Sequence, residues 1–354
     1  MGLVLGLAAM LWGIGHLMKA PRNARLCMIG LLFIFVLALQ LILPDGHPVR
    51  LATGESPALW LILAGFTGLA VGYGAIIKRL RTQADHKLSE QAPQKKTGAF
   101  ADGELERYAR HIVLRELGGP GQKRLKDARV LVIGAGGLGS PALMYLAAAG
   151  VGTIGVIDDD VVDSGNLQRQ VVHSDDAIGM PKVFSAEQRM KSINPYIEVR
   201  PYKRRLSDDI AKDLFSDYDV ILDGTDNFDT RYLANRFAVE LDKPLVSGAL
   251  SQWEGQISVF DPANGAPCYQ CIFEKAPAAE LAPSCAEAGV LGPLPGVIGS
   301  MMAVETVKII AEAGQALRGD MLIYDALWGE TRKIGLKPRP ECPVCADRQN
   351  GARA

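Results

Sequence analysis

An excess of charge of either sign is missing from this chain. Across 354 residues, 38 Lys and Arg face 39 Asp and Glu, for a formal net charge of −1. A basic surface for nucleic acid is therefore not expected. Charged residues are missing altogether from three N-terminal stretches, 2–18, 26–43 and 58–77. At ~1.5 Å per residue the last two extend roughly 27–30 Å, enough to cross a hydrocarbon core of about 30 Å, so both are expected to be transmembrane helices. The first is shorter and carries His16; it is read as a third span, with a re-entrant or interfacial helix as the alternative. No basic residue precedes the first apolar run, which argues against a cleaved signal peptide. The mean hydropathy of +0.11 thus averages two unlike parts.

Basic residues set the expected orientation, because Lys and Arg are retained on the cytoplasmic side. Lys19, Arg22 and Arg25 separate the first two spans, and Lys78, Arg79 and Arg81 follow the third. The intervening loop carries only Arg50, beside Asp45 and Glu55. The expectation is a membrane region over 1–81 with its N-terminus outside, a polar linker over 82–103, and a cytoplasmic domain over 104–349. A multi-pass protein of a bacterial inner membrane fits that order.

Cysteine is also scarce, with six in the chain. Cys27 lies in an apolar stretch and reads as packing. Cys268-x-x-Cys271 and Cys342-x-x-Cys345 form two knuckles, the ligand set of a tetrahedral structural zinc site, and a cytosolic setting disfavours disulfides. Cys285 stands alone in the Gly- and Pro-rich "APSCAEAGVLGPLPGVIGS". It is either a nucleophile in a loop over a cleft or an incidental thiol.

From residue 129 the chain alternates apolar runs with helical segments, which implies an α/β fold with a mostly parallel, Rossmann-like sheet covered by helices. "VLVIGAGGLG" places Gly134, Gly136 and Gly139 in a G-x-G-x-x-G turn between strand and helix, with Gly137 among them. Such a turn lets phosphate oxygens reach the backbone at a helix N-terminus. Asp158, ending "TIGVID", stands near the distance where a carboxylate meets a ribose hydroxyl. An NAD-dependent oxidoreductase is the first reading. Arg169 and Lys182 follow the second strand, however, and Arg110 offers a third cation, which suits a triphosphate better than a dinucleotide. Asp226, ending "VILDGTD", is a candidate for Mg²⁺. "GQISVF" and "MLIYDAL" suggest further strands of less certain direction.

Taken together, "RYARHIVL", "VLVIGAGGLGSPALMYLAAAGVG", "NLQRQ", "DGTDNFDTRY", "PLVSGA", "EGQISVF", "CYQC", "SCAEAGVLGPLPGVIGS" and "CPVC" resemble the ubiquitin-activating-enzyme-like family that includes MoeB, ThiF and HesA. The resemblance covers roughly 104–346 and is nearest to the molybdopterin-synthase adenylyltransferase branch; the membrane region is additional. It implies ATP-dependent adenylation of the C-terminal glycine carboxylate of a small ubiquitin-like sulfur carrier ending in Gly-Gly, with release of pyrophosphate, in molybdenum cofactor biosynthesis. A thiamin-pathway or other carrier is the alternative. Carried over by motif, Gly137 approaches the phosphates, Asp158 binds ribose, and Asn166 and Arg169 contact phosphates. Lys182 reaches the triphosphate, Asp226 positions Mg²⁺, and Arg110 acts across a homodimer. Gly165, Leu167 and Gln168 of the same segment, and Asn227 beside Asp226, are counted with the nucleotide contacts. Gly165 replaces the family's usual Ser. No sulfurtransferase segment follows "CPVC", so sulfur is expected from elsewhere.

Overall fold

The computed structural model describes residues 2–19, 21–54, 56–58, 60–62, 65–66, 68–69, 72–74, 100–277 and 289–351. Cys285, residues 82–99 of the expected linker and parts of the third expected span lie outside them. The chain divides into two units, Met1–Pro93 and Gln94–Ala354.

In the first unit, helices Gly2–Leu17 and Arg22–Ile42 are followed by the short helix Pro48–Thr53. Val4, Val36 and Trp60 form its small buried cluster. Ala24–Ile42 has mean hydropathy 2.4 and is only 11% buried, so its apolar side chains face outward. Leu31, Ile34, Phe35 and Leu41 are all exposed. Gln40 is buried and donates to Thr53 Oγ1 at 2.8 Å, which ties the long helix to the short one. The helix Pro293–Ala311 is also long and apolar, but half of it is buried, and it packs in the core of the second unit.

The second unit is built on an eight-stranded sheet in the order β3-β2-β1-β4-β5-β6-β7-β8. Strands β1 (Arg129–Ile133), β2 (Thr153–Ile157), β3 (Glu198–Tyr202), β4 (Val220–Asp223) and β5 (Leu245–Leu250) run parallel. Val130, Leu131, Val132 and Ile133 are at most 2% exposed, as a strand covered by helices on both faces requires. One apolar layer lies under helices Gly139–Ala149, Lys182–Ile193 and Pro293–Ala311. The other lies under Asp208–Ser216 and Phe228–Glu240. The runs "GQISVF" and "MLIYDAL" supply β6 (Glu254–Phe260) and β7 (Asp320–Asp325), both antiparallel. A final strand, β8 (Glu330–Gly335), pairs with β7. Pro201 falls within edge strand β3, where a missing N–H is tolerated.

Ile133 pairs with Ile157 on one side and with Asp223 on the other. The carboxyl ends of β1, β2 and β4 are therefore level. The chain leaves β1 towards β2 and later returns to β1's other flank as β4, which makes this end a topological switch point.

Candidate nucleotide cleft and cysteine cluster

A cavity of about 970 Å³ opens at the switch point. Its walls include Gly134, Gly136, Gly137, Asp158, Arg169 and Lys182, and also Asp226 and Asn227. Two glycines of the loop, Gly134 and Gly139, hold positions that a side chain would strain or obstruct. Gly134 has φ +90°, and a Cβ on Gly139 would lie 1.9 Å from Gly134 O. A Cβ on Gly136 would meet only Gln170 Nε2, at 3.7 Å.

Asp158 does more than await a ligand. One carboxylate oxygen accepts from Ala135 N at 2.8 Å and the other from Asp160 N at 2.9 Å. A carboxylate offers about four lone-pair sites, so both oxygens retain capacity towards the cleft. Lys182 is 6% exposed at its side chain and donates to Asp160 Oδ2 at 2.8 Å. The buried ammonium is thus held by an exposed carboxylate at the cleft wall.

Within "NLQRQ" the wall is formed by Arg169 and Gln170. Arg169 donates from Nη2 to Asn166 Oδ1 at 2.6 Å, so Asn166 orients the guanidinium. Gly165 N donates to Asp163 Oδ1 at 2.8 Å, closing the turn without a serine hydroxyl. Gly165, Asn166, Leu167 and Gln168 do not line the cavity. Gln168 packs instead on Gly292, where a Cβ would sit 2.5 Å from Oε1. Gln170, absent from the sequence expectations, is 5% exposed, and its Oε1 has no hydrogen-bond partner among the described residues.

On the opposite wall Asp226 is exposed and has no ion-pair partner among the described residues. That carboxylate suits a hard cation such as Mg²⁺. Asn227 lines the cleft but its Oδ1 caps the helix Phe228–Glu240, accepting from Thr230 N at 2.9 Å. The loop between them and β4 is fixed from below. Buried Asp223 accepts from Thr225 Oγ1 at 2.6 Å and Ser247 Oγ at 3.0 Å, and pairs with Arg231 at 3.3 Å. Arg231 also donates to Thr225 O and to Gly248 O. Arg110, on the helix Asp102–Ile112, does not line the cavity of its own chain.

The four knuckle cysteines are buried, with Sγ atoms within 4.8 Å of one another. Three separations are 3.8 Å for Cys268 to Cys271, 3.5 Å for Cys268 to Cys342 and 3.4 Å for Cys271 to Cys345. A tetrahedron of Zn–S bonds of about 2.3 Å has edges of roughly 3.8 Å. A disulfide requires about 2.05 Å, so the geometry fits a metal and not two bridges. Close sulfur contacts hold Cys271 far below the usual thiol range, as its neighbours donate to it. Cys268 caps the short helix Tyr269–Ile272, which carries Cys271, and Tyr269, Ile272 and Phe273 continue into the cleft wall. Burial pushes the Tyr269 hydroxyl up to about 12, so it stays protonated.

A model of the ThiF family matches residues 108–344. The chain belongs to the ThiF family. A sulfur carrier protein adenylyltransferase of Thermus thermophilus is 47% identical over 248 residues, covering 69% of this chain and 92% of that protein. A probable adenylyltransferase/sulfurtransferase MoeZ of Mycobacterium tuberculosis is 50% identical over 248 residues, 69% of this chain and 63% of its own length. The adenylyltransferase and sulfurtransferase MOCS3 of Sus scrofa is 44% identical over 270 residues, 76% of this chain and 59% of that one. The chain thus spans nearly all of the first relative and less than two thirds of the other two. Crystal structures of E. coli MccB share the fold: the complex with AMPCPP and MccA has a TM-score of 0.60 at 21% identity, over 75% of this chain and 81% of that one. The ThiF-family chain is an adenylyltransferase.

Proposed function

We propose that this ThiF-family enzyme adenylates the C-terminal glycine carboxylate of a small ubiquitin-like sulfur carrier ending in Gly-Gly. ATP is the nucleotide, pyrophosphate is released, and the carrier is of the molybdopterin-synthase small-subunit type used in molybdenum cofactor biosynthesis. The observation that carries this reading is the convergence of the glycine loop, Asp158, Arg169, Lys182 and Asp226 on one cavity. Relatives named for sulfur carrier adenylation support the substrate class.

The carrier carboxylate is already ionised at neutral pH, so no general base is required. Its oxygen attacks the α-phosphorus while the bond from that phosphorus to the bridging oxygen breaks, and pyrophosphate leaves with the electron pair. Both reactants are anions, so the work of the site is to neutralise charge as it accumulates. The loop N–H groups and Arg169 face the phosphates, Lys182 exchanges Asp160 for a phosphate oxygen, and Asp158 accepts from ribose hydroxyls. Asp226 would hold Mg²⁺, which supplies further positive charge to the triphosphate. The four cysteines would hold a structural Zn²⁺ that ties the C-terminal segment back to the domain. Cys285, if it meets the acyl-adenylate, serves sulfur transfer only.

The reading includes a homodimer in which Arg110 reaches the partner's cleft, in keeping with its place away from its own. It also includes a multi-pass membrane anchor with the catalytic domain cytoplasmic, supported by the apolar, outward-facing helix Ala24–Ile42. The test is Mg²⁺-dependent pyrophosphate exchange into ATP in the presence of a purified carrier. Asp226→Ala should abolish it in a folded protein, and near-normal exchange by that variant would remove the role assigned to Asp226.

A further inference from the structure

His173 is buried, 7% exposed, and lies outside the cleft wall. Its Nε2 stands 3.0 Å from Ala135 O and its Nδ1 2.9 Å from Ser185 Oγ. A carbonyl oxygen only accepts, so Nε2 carries the proton. Burial lowers the pKa of the imidazole, with Lys182 adding to that effect; in the neutral ring Nδ1 then accepts from the Ser185 hydroxyl. Ser185 is on the helix that Lys182 opens. Ala135 itself is fully buried, and its N–H is already given to Asp158.

Peptide geometry turns this bond outward. In a trans peptide the C=O of one residue and the N–H of the next point in opposite directions, and the described residues contain no cis bond. With Ala135 O held inward by His173, the N–H of Gly136 points the other way. Gly136 lines the cleft, and among the described residues its N–H finds no acceptor in the backbone bonds that hold the loop. Glycine has no Cβ to resist rotation, so without the imidazole this peptide can flip and present its carbonyl oxygen to an anion.

We propose that His173 is a positioning residue for ATP: as a neutral Nε2–H donor it locks the Ala135–Gly136 peptide so that the Gly136 N–H meets a phosphate oxygen. The inference rests on the ATP-binding reading above. Adenosine engages the ribose side of the cleft but no phosphate contact, so the ratio of ATP to adenosine affinity isolates this peptide. The measurement is titration calorimetry on the full chain in detergent. His173→Phe should weaken ATP about tenfold and leave adenosine within about twofold. His173→Gln keeps an N–H at similar reach and should restore ATP to within about threefold of wild type. A parallel fall of both ligands, or an unchanged ratio, in folded His173→Phe overturns the proposal. Should that variant not fold, Ser185→Ala frees the imidazole tautomer and is expected to lower the ratio about threefold; an unchanged ratio there overturns it equally. Failure of the wild-type chain to bind ATP would instead remove the reading beneath it.

Discussion

At the scale of single residues, the cavity and the sulfur cluster are built from two kinds of group, those that a short motif places and those that the fold brings from a distance. Gly134, Gly139, Cys268, Cys271, Cys342 and Cys345 sit in short motifs whose spacing carries their physical reason, and the cavity and sulfur cluster form where those motifs meet. Residues whose role depends on distant neighbours were not legible. His173 reaches Ala135 across 38 positions, and Arg231 finds Gly248 O only because β5 lies beside β4. Gln170 flanks Arg169 in the same motif and lines the cavity, while Gln168 packs on Gly292. Gly139→Ala should cost about 3 kcal/mol, the scale of an overpacked core site, because the new Cβ would collide with Gly134 O; chemical denaturation checks it. His173 gives a pH signature. Its pKa is lowered in the fold, so below the unfolded value of about 6.5 the unfolded chain binds the extra proton first. The stability contributed above that value is lost as pH falls towards the native pKa. Denaturation midpoints of wild type should therefore decline more steeply between about pH 7.5 and 5.5 than those of His173→Gln, and parallel curves would refute this.

At the scale of elements, the parallel strands β1, β2, β4 and β5 read as apolar runs because helices bury both faces, while edge strand β3 carries Glu198 and Arg200 and is only partly buried. β8 did not: every residue from Glu330 to Gly335 is exposed, so "ETRKIG" carries no burial pattern to read. Likewise the direction of β6 and β7 depends on which neighbour each meets, which apolar content cannot specify. The helix Pro293–Ala311 is long and apolar enough to cross a membrane by length and composition alone, yet it packs on β5, β6 and the helix Gly139–Ala149. The cysteine knuckles join elements 74 residues apart. Elemental analysis should find about one zinc per chain. Chelation or Cys342→Ser should loosen the segment after β8, since metal affinity is coupled to folding, with rapid amide exchange there as the readout. A metal-free protein with full protection would contradict the zinc assignment.

At the scale of the whole molecule, the two units carry separate expectations. A C-terminal reporter should be active in the cytoplasm, with the loop around Asp45 and Arg50 on the other side; the reverse pattern would overturn the topology. Arg110 provides the test of the dimer. Co-expressed Arg110→Ala and Asp226→Ala chains, each inactive alone, should regain about a quarter of wild-type sites by random pairing if Arg110 acts across a two-fold interface. No recovery in demonstrated mixed dimers would place Arg110 elsewhere. The central claim is that the glycine loop presents ATP to a carrier's C-terminal carboxylate. Its most direct test is pyrophosphate exchange into ATP by the full-length chain with Mg²⁺ and a panel of purified carriers ending in Gly-Gly. The account predicts exchange that depends on one such carrier and disappears when its terminal glycine is removed. Nicotinamide nucleotide binding that ATP does not compete, with no exchange for any carrier, would contradict it.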